Sequence, residues 1–157
     1  MEYKTEIFDN QNKLFKRINN EFVVSQDKGD YSVIQLASVN NSLYEGNVNP
    51  ITQRIVLRYD SFGNIINMSY LGDISINSDE KYEVMAYYQD ISNWILDRIN
   101  DSRLYNSSNS KVSQSLFTYN LKGNLLSYES WLNGAVNPKN SYAYDSFGNI
   151  ISDTNAN

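Results

Sequence analysis

Apolar and polar residues alternate along several short stretches of the chain. Ile55, Leu57 and Tyr59 occupy every second position, so an extended strand would place them on one face. The same alternation occurs at residues 66–70 and 82–88. Alternating runs of this length, separated by Asp, Asn, Ser and Gly, predict β-strands joined by hairpins.

One eight-residue sequence recurs between these stretches. It reads YDSFGNII at residues 59–66 and again, identically, at residues 144–151. A third copy at residues 119–126 reads YNLKGNLL, and a degenerate fourth at residues 88–96 reads YQDISNWIL and lacks the Gly. Residues 8–15 (FDNQNKLF) have the aromatic residue, the Asp, the Asn and the aliphatic residue of the repeat but not its Gly. The sequence leaves open whether they form a degenerate copy of the hairpin. Several copies in one chain indicate a repeated β-hairpin unit.

The residue types of this repeat predict a tight turn. Asp60 can accept a hydrogen bond from the N–H group two residues later. Gly63 can adopt a left-handed conformation that costs other residues about 1–2 kcal/mol. Residues 60–63 therefore fit a type I turn followed by a left-handed glycine in a bulge. The residues to which we assign this structural role are Tyr59, Asp60, Gly63, Asn64, Tyr119, Gly123, Asn124, Tyr144, Asp145, Gly148 and Asn149.

Residues 89–103 allow two interpretations. Ile91, Trp94 and Ile95 follow helical spacing, and Asp90 could cap such a helix. As a copy of the repeat, the same segment gives a turn followed by a strand over residues 94–99. We favour the strand, because the neighbouring copies alternate strand and turn.

The remaining polar stretches predict turns and loops. Residues 40–50 and 106–115 are rich in Asn and Ser, and both predict exposed loops. Residues 27–30 and the Asn133-Gly134 dipeptide predict turns. Tyr119 and Tyr144 are 25 residues apart, a spacing typical of units that bury their faces only by stacking on neighbours.

Composition narrows the classes of function. The 157 residues are enough for one compact domain, and the 13 Tyr, 6 Phe and 2 Trp suit half-buried sheet surfaces. A net charge of −5 argues against a nucleic-acid partner and against an electrostatic membrane anchor. No apolar run is long enough to insert into a membrane, and the polar N-terminal sequence is not a signal peptide.

The chain also lacks the residues of common catalytic sites. With no His and no Cys, it cannot form Ser–His–Asp or Cys–His arrangements. Its densest acidic cluster is Asp79, Glu80 and Glu83. In a strand, adjacent residues such as Asp79 and Glu80 would point to opposite faces of the sheet. The repeated turn offers one acid and one amide, too few oxygens for calcium. We therefore expect no enzyme activity, no metal and no cofactor.

Exposed aromatic side chains leave a binding function open. Trp94, Trp131 and Tyr128 are candidates for stacking on sugar rings. The alternative, which we favour, is that they pack between hairpins, since cross-strand aromatic pairs stabilise sheets.

The repeated sequence resembles the YD repeat of the RHS family of large secreted bacterial and insect-active toxin proteins. Residues 44–59, from the YEG triplet through PITQRI to LRY, resemble the entry into the RHS region of the B component of insecticidal toxin complexes. We accordingly divide the chain into an N-terminal β segment, residues 1–42, and a YD-repeat region, residues 43–157.

The resemblance implies a fold and a role. RHS proteins wind a strip of antiparallel hairpins into a hollow shell that encloses a toxin, so we expect successive hairpins forming a curved strip of such a shell. With so few repeats, the chain would be a fragment of a secreted bacterial protein without catalysis of its own. Its partners would be other RHS repeats of a longer chain or of a partner toxin component. A carbohydrate- or cell-surface-binding YD-repeat module is the alternative.

Overall fold

The computed structural model describes residues 1–27, 31–134 and 136–155. These residues form eleven β-strands and no helix, which confirms the predicted all-β class. The strands belong to one antiparallel sheet and lie in sequence order. Their bounds are β1 (Lys4–Phe8), β2 (Leu14–Asp27), β3 (Ser32–Leu43), β4 (Ile51–Tyr59), β5 (Ile65–Asp73), β6 (Lys81–Asp90), β7 (Ile95–Asn106), β8 (Lys111–Tyr119), β9 (Leu125–Ser130), β10 (Lys139–Tyr144) and β11 (Ile150–Thr154).

The chain forms two compact units. The first comprises Met1–Tyr82 with Asn106–Ser108, and within it β1 to β5 pair successively. The second comprises Glu83–Tyr105 with Asn109–Asn157, and within it β7 to β11 pair successively. The division between residues 42 and 43, which depended on the extent of a sequence resemblance, stays a prediction. The predicted turn at residues 27–30 lies largely outside the described residues.

The ambiguous segment at residues 89–103 is a hairpin. β6 ends at Asp90 and β7 begins at Ile95, so the strand interpretation is confirmed and the helix is wrong. Ile91 is 65% exposed and Trp94 80% exposed, both in the connecting turn. The helical spacing of these residues therefore does not correspond to a buried apolar face.

Both predicted Asn- and Ser-rich loops are shorter than expected. Asn40 and Asn41 belong to β3, where they pair with Arg54 and Gln53 of β4. Residues 111–115 likewise belong to β8 and pair with β7. In β3, neighbouring strands on both sides supply backbone hydrogen bonds, which outweigh the low strand propensity of Asn.

The described residues contain no buried hydrophobic side chain. The side chains of Ser38, Ser42 and Ser127 are buried instead, between neighbouring strands. A compact core, which the chain length would allow, is therefore absent from the described part of the chain. The sheet is instead stabilised by backbone pairing between strands, by contacts between half-buried aromatic side chains and by the turns.

Candidate functional site: the repeated hairpin turn

The backbone of residues 60–64 closes the hairpin between β4 and β5. The Asp60 N–H donates to the Asn64 carbonyl at 2.9 Å, and the Gly63 N–H donates to the Asp60 carbonyl at 3.2 Å. Gly63 has φ of 92°, in the left-handed region. The strand register shifts at Tyr59, which pairs with Ile65. A left-handed residue and a register shift together make the loop a tight turn with a bulge.

The Asp60 carboxylate holds this turn from within. Its Oδ1 accepts the backbone N–H groups of Phe62 and Asn64, each at 2.9 Å. Its Oδ2 accepts the Asn64 side-chain amide at 2.9 Å. One side chain thus satisfies two backbone donors that the turn directs away from any strand.

The same geometry recurs at residues 120–124 and 145–149; together with residues 60–64, we call these segments the repeated turns. Asp145 accepts from the backbone N–H groups of Phe147 and Asn149 and from the Asn149 amide, each at 2.9 Å. Asn120 keeps the two backbone contacts, at 2.9 and 3.0 Å, through its amide oxygen. Gly123 and Gly148 have φ of 78° and 90°. The repeated sequence therefore encodes one local structure three times.

Hydrogen bonding lowers the pKa of the two turn aspartates. For Asp145, the Asn149 side-chain amide and the backbone N–H groups hold the pKa below its usual value. For Asp60, burial raises the pKa, but the hydrogen bonds from Asn64, Phe62 and Gly63 outweigh it and the net shift is downward. The ionised form is therefore the one that each turn stabilises.

Residues 8–15, which the sequence left open, also form this turn. Asp9 Oδ1 accepts the backbone N–H groups of Gln11 at 2.9 Å and Lys13 at 2.8 Å. Asn12 takes the left-handed position with φ of 59°. Phe8 pairs with Leu14 across a register shift, as Tyr59 pairs with Ile65. Asn can replace Gly here because it tolerates left-handed geometry better than most residues.

The tyrosine that precedes each repeated turn bonds to the preceding strand. The hydroxyl groups of Tyr59, Tyr119 and Tyr144 donate to the backbone carbonyls of Leu36 at 2.9 Å, Ile99 at 2.7 Å and Leu125 at 2.8 Å, respectively. Burial raises the pKa of Tyr59 and of Tyr119 above the usual value of tyrosine, in the direction that favours the protonated, donating form. These bonds were not predicted from the sequence, although the repeated occurrence of Tyr in place of Phe is a signal for them.

The three tyrosine bonds occupy the same place in the strand register. The last backbone pairs before them are Ser38 with Val56, Asp101 with Leu116, and Ser127 with Ser141. In each case the tyrosine lies three residues after its strand's member of that pair, and the acceptor carbonyl lies two residues before the other member. The hydroxyl thus continues the contact between two strands beyond the point where their backbone pairing ends.

The degenerate fourth copy builds a related turn with Trp in the left-handed position. Asp90 accepts the Asn93 backbone N–H at 3.1 Å and its side-chain amide at 2.7 Å. The Trp94 N–H donates to the Ile91 carbonyl at 3.2 Å, and Trp94 has φ of 56°. This turn therefore holds a large aromatic residue where the repeated turns have Gly.

The three candidates for sugar stacking lie in different surroundings. Tyr128 packs against its cross-strand partner Phe117, with ring centroids 5.2 Å apart. Trp131 lies beneath the Lys111 ammonium, 4.2 Å from the ring centroid. Trp94 precedes β7, whereas Trp131 follows β9 beside the beginning of β8. Antiparallel pairing of β7, β8 and β9 places these two Trp residues at opposite ends of the strands. The structure therefore does not combine them into one site.

The acidic residues noted in the sequence have hydrogen-bonding partners. Asp79 accepts the Asp73 N–H at 3.0 Å, Glu80 accepts the Ser78 N–H at 2.9 Å, and Glu83 accepts the Ser102 hydroxyl at 3.0 Å. Within the described ranges, no three acidic side chains come close enough to hold a metal ion. In that same part of the chain, no helix has the length and apolar character needed to cross a bilayer.

The fold and its turns define a sheet of successive antiparallel hairpins with a repeated Asp–Gly–Asn turn. A segment of one solved toxin-complex structure has this fold. The crystal structure of TcdB2-TccC3-Cdc42 matches over 96% of this chain with a TM-score of 0.59 and 19% sequence identity, and this chain spans 7% of the length of that one. That of TcdB2-TccC3-TEV matches over 94% of this chain, and over 9% of that one, with a TM-score of 0.49 and 15% identity. No family model and no curated protein matches the sequence.

Proposed function

We propose that the chain is a structural segment of an RHS-type shell in a toxin-delivery protein, without catalysis of its own. The observation that supports this proposal is a sheet of eleven strands in which no described hydrophobic residue is buried. A single sheet normally becomes stable by burying a face against another layer or by continuing into further strands. Shell walls made of hairpins supply both, and the TcdB2-TccC3-Cdc42 crystal structure contains a segment of this fold.

The proposed role determines the partners and the location. The partners are other repeats, of a longer chain or of a partner toxin component, because they have complementary strand edges. Many large apolar side chains are exposed, among them Val24 at 56%, Ile51 at 57% and Ile74 at 56%. Exposed apolar surface on this scale favours a protein that is covered in its assembly. The location is extracellular, as part of a larger secreted bacterial protein.

Light scattering coupled to size-exclusion chromatography, with far-UV circular dichroism on the same sample, tests this function. A β spectrum together with self-association is expected, since open sheet edges and uncovered faces seek partners. A cooperative, stable monomer would contradict the shell role and identify a self-sufficient module.

A glycan-binding module is the second candidate. The observation that favours it is Trp94, which is 80% exposed and projects from a turn. Screening the protein against a glycan array, with Trp94→Ala and Trp131→Ala as paired variants, tests this candidate. Sugar affinity that is lost in either variant would favour the module, and the pair would locate the stacking residue.

A further inference from the structure

Strand β11 presents an open edge. It pairs with β10 on one side, and no other described strand pairs with its second side. All five of its residues are exposed, with Ile150 at 60% and Ile151 at 66%. Edge strands of this kind are templates for a further strand.

The pairing of β8 with β9 shows what this edge lacks. A shift of 25 residues maps the register of β8 and β9 onto that of β10 and β11, so that Ser127 corresponds to Ser152. Ser127 is 5% exposed, whereas Ser152 is exposed. The exposures differ because β9 has a further strand, β10, on its second side, and β10 pairs with Ser127. The Tyr144 hydroxyl of β10 also donates a hydrogen bond to the Leu125 carbonyl of β9.

We propose that β11 accepts a tyrosine-bearing strand of one further YD hairpin. By the 25-residue correspondence, that strand runs antiparallel to β11 and pairs with Ser152, Asp153 and Thr154. Its tyrosine hydroxyl bonds to the carbonyl of Ile150, the counterpart of Leu125. The inference rests on the proposed shell function and names the edge and the chemistry of the partner.

The β1 edge, at the other end of the sheet, differs from the β11 edge in the aromatic residue before its turn and in its charge. Phe8 stands where the repeated turns have Tyr, so it has no hydroxyl to donate toward a strand beyond β1. β1 also carries two charged residues, Lys4 and Glu6, which form an ion pair at 2.8 Å, whereas β11 carries one, Asp153. Charged residues discourage pairing at edges. The tyrosine contact is therefore specific to the β11 edge.

The direction of the backbone groups gives a selective way to block this edge. The Ser130 N–H donates to the Pro138 carbonyl at 3.0 Å and thus points toward β10. Because backbone groups alternate along a strand, those of Tyr128 also point toward β10, and those of its counterpart Asp153 point outward from β11. Proline is tolerated on an edge strand where its missing N–H would face outward. Asp153→Pro should block docking while preserving the β10–β11 pair, and Asp153→Ala is the matched control.

The experiment titrates the 157-residue protein into a fluorescently labelled synthetic peptide of residues 136–155 and measures anisotropy. Binding is expected for the wild type and for Asp153→Ala, and should be lost for Asp153→Pro. A peptide with Phe in place of Tyr144 should bind about two- to tenfold more weakly, as expected for one lost hydrogen bond. Hydrogen exchange should show new protection at the Asp153 amide, whose N–H points outward from β11.

Absence of peptide binding, or equal binding by Asp153→Pro and Asp153→Ala, would overturn the inference. Equal affinity of the Tyr and Phe peptides would overturn the tyrosine contact independently of how Asp153→Pro folds. If the wild type and Asp153→Pro self-associate equally without binding peptide, the edge assignment fails and the shell function stands. A stable monomer that binds glycans would instead contradict the shell function.

Discussion

The Tyr144 hydroxyl donates a 2.8 Å hydrogen bond to the backbone carbonyl of Leu125, on the strand before its own. Tyr59 and Tyr119 make the equivalent bond to their own preceding strands, at the same place in the register. The tyrosine therefore does more than close a hairpin. It fastens each repeated turn to the hairpin before it, in a sheet whose described residues provide no hydrophobic core.

Removing one of these hydroxyl groups should weaken the fold measurably. Tyr119→Phe keeps the ring, which stacks on Tyr88 with centroids 6.2 Å apart, and removes only the bond to Ile99. We expect the free energy of unfolding to fall by about 0.5–1.5 kcal/mol, the usual net value of one hydrogen bond. Urea unfolding followed by circular dichroism measures the change.

Tyr31→Phe is the matched control for this experiment. Tyr31 precedes β3 and is 62% exposed, so its substitution should change the free energy of unfolding by less than about 0.5 kcal/mol. Equal effects of Tyr119→Phe and Tyr31→Phe would show that the hydroxyl contact contributes nothing to stability.

The glycines of the repeated turns should differ in their tolerance of substitution. Gly63→Val and Gly148→Val should each destabilise the protein by about 1–3 kcal/mol, because a β-branched residue is strained at positive φ. Gly123→Val should cost more, since an added Cβ would lie 3.3 Å from the Ile95 Cδ1, against 3.7 Å from the Asn124 Nδ2 at Gly148. Thermal unfolding of the three variants ranks them.

Gly148→Asn is the informative companion variant. Asn12 already occupies the corresponding position with φ of 59°, so this substitution should be milder than Gly148→Val. If the Asn and Val variants were equally unstable, the loss would have a cause other than left-handed backbone geometry.

The class of fold could be predicted from the sequence because the repeated turn is held by local contacts. Asp60, Gly63 and Asn64 define their turn through contacts within five residues. Local contacts of this kind can be predicted from the residue types alone. The acceptors of the tyrosine hydroxyl groups lie 19 to 23 residues away and on backbone carbonyls, which carry no sequence signal. The same reason explains the length of β3, since Asn40 is held by pairing to two distant strands.

Acid should weaken the turn at Asp145. Its pKa is lowered in the folded protein by the Asn149 side chain and by backbone N–H groups, while the unfolded chain has the ordinary value of about 3.9. Its contribution to stability is therefore complete above about pH 4 and is lost as the pH falls through the lower folded pKa. Unfolding curves from pH 7 to pH 2.5 measure this loss.

Asp145→Asn tests the assignment, because Asn120 shows that an amide oxygen can hold the same backbone groups. The difference in stability between the wild type and Asp145→Asn should shrink as the pH falls below 4. Asn120→Asp should show the reciprocal behaviour and gain an acid-sensitive contribution. A constant difference across the whole pH range would mean that ionisation of residue 145 does not stabilise the turn.

Trp94 is expected to oppose the stability of its own turn. It has φ of 56° and is 80% exposed, so it bears the strain of a left-handed backbone with little burial in return. Trp94→Gly should raise the free energy of unfolding by about 0.5–1 kcal/mol, since glycine adopts this conformation without steric cost. Trp131→Gly is the contrasting variant: Trp131 contacts Lys111, so its loss should destabilise the protein. Urea unfolding of both variants decides the matter, and a Trp94→Gly protein less stable than wild type would show that the exposed ring makes a stabilising contact.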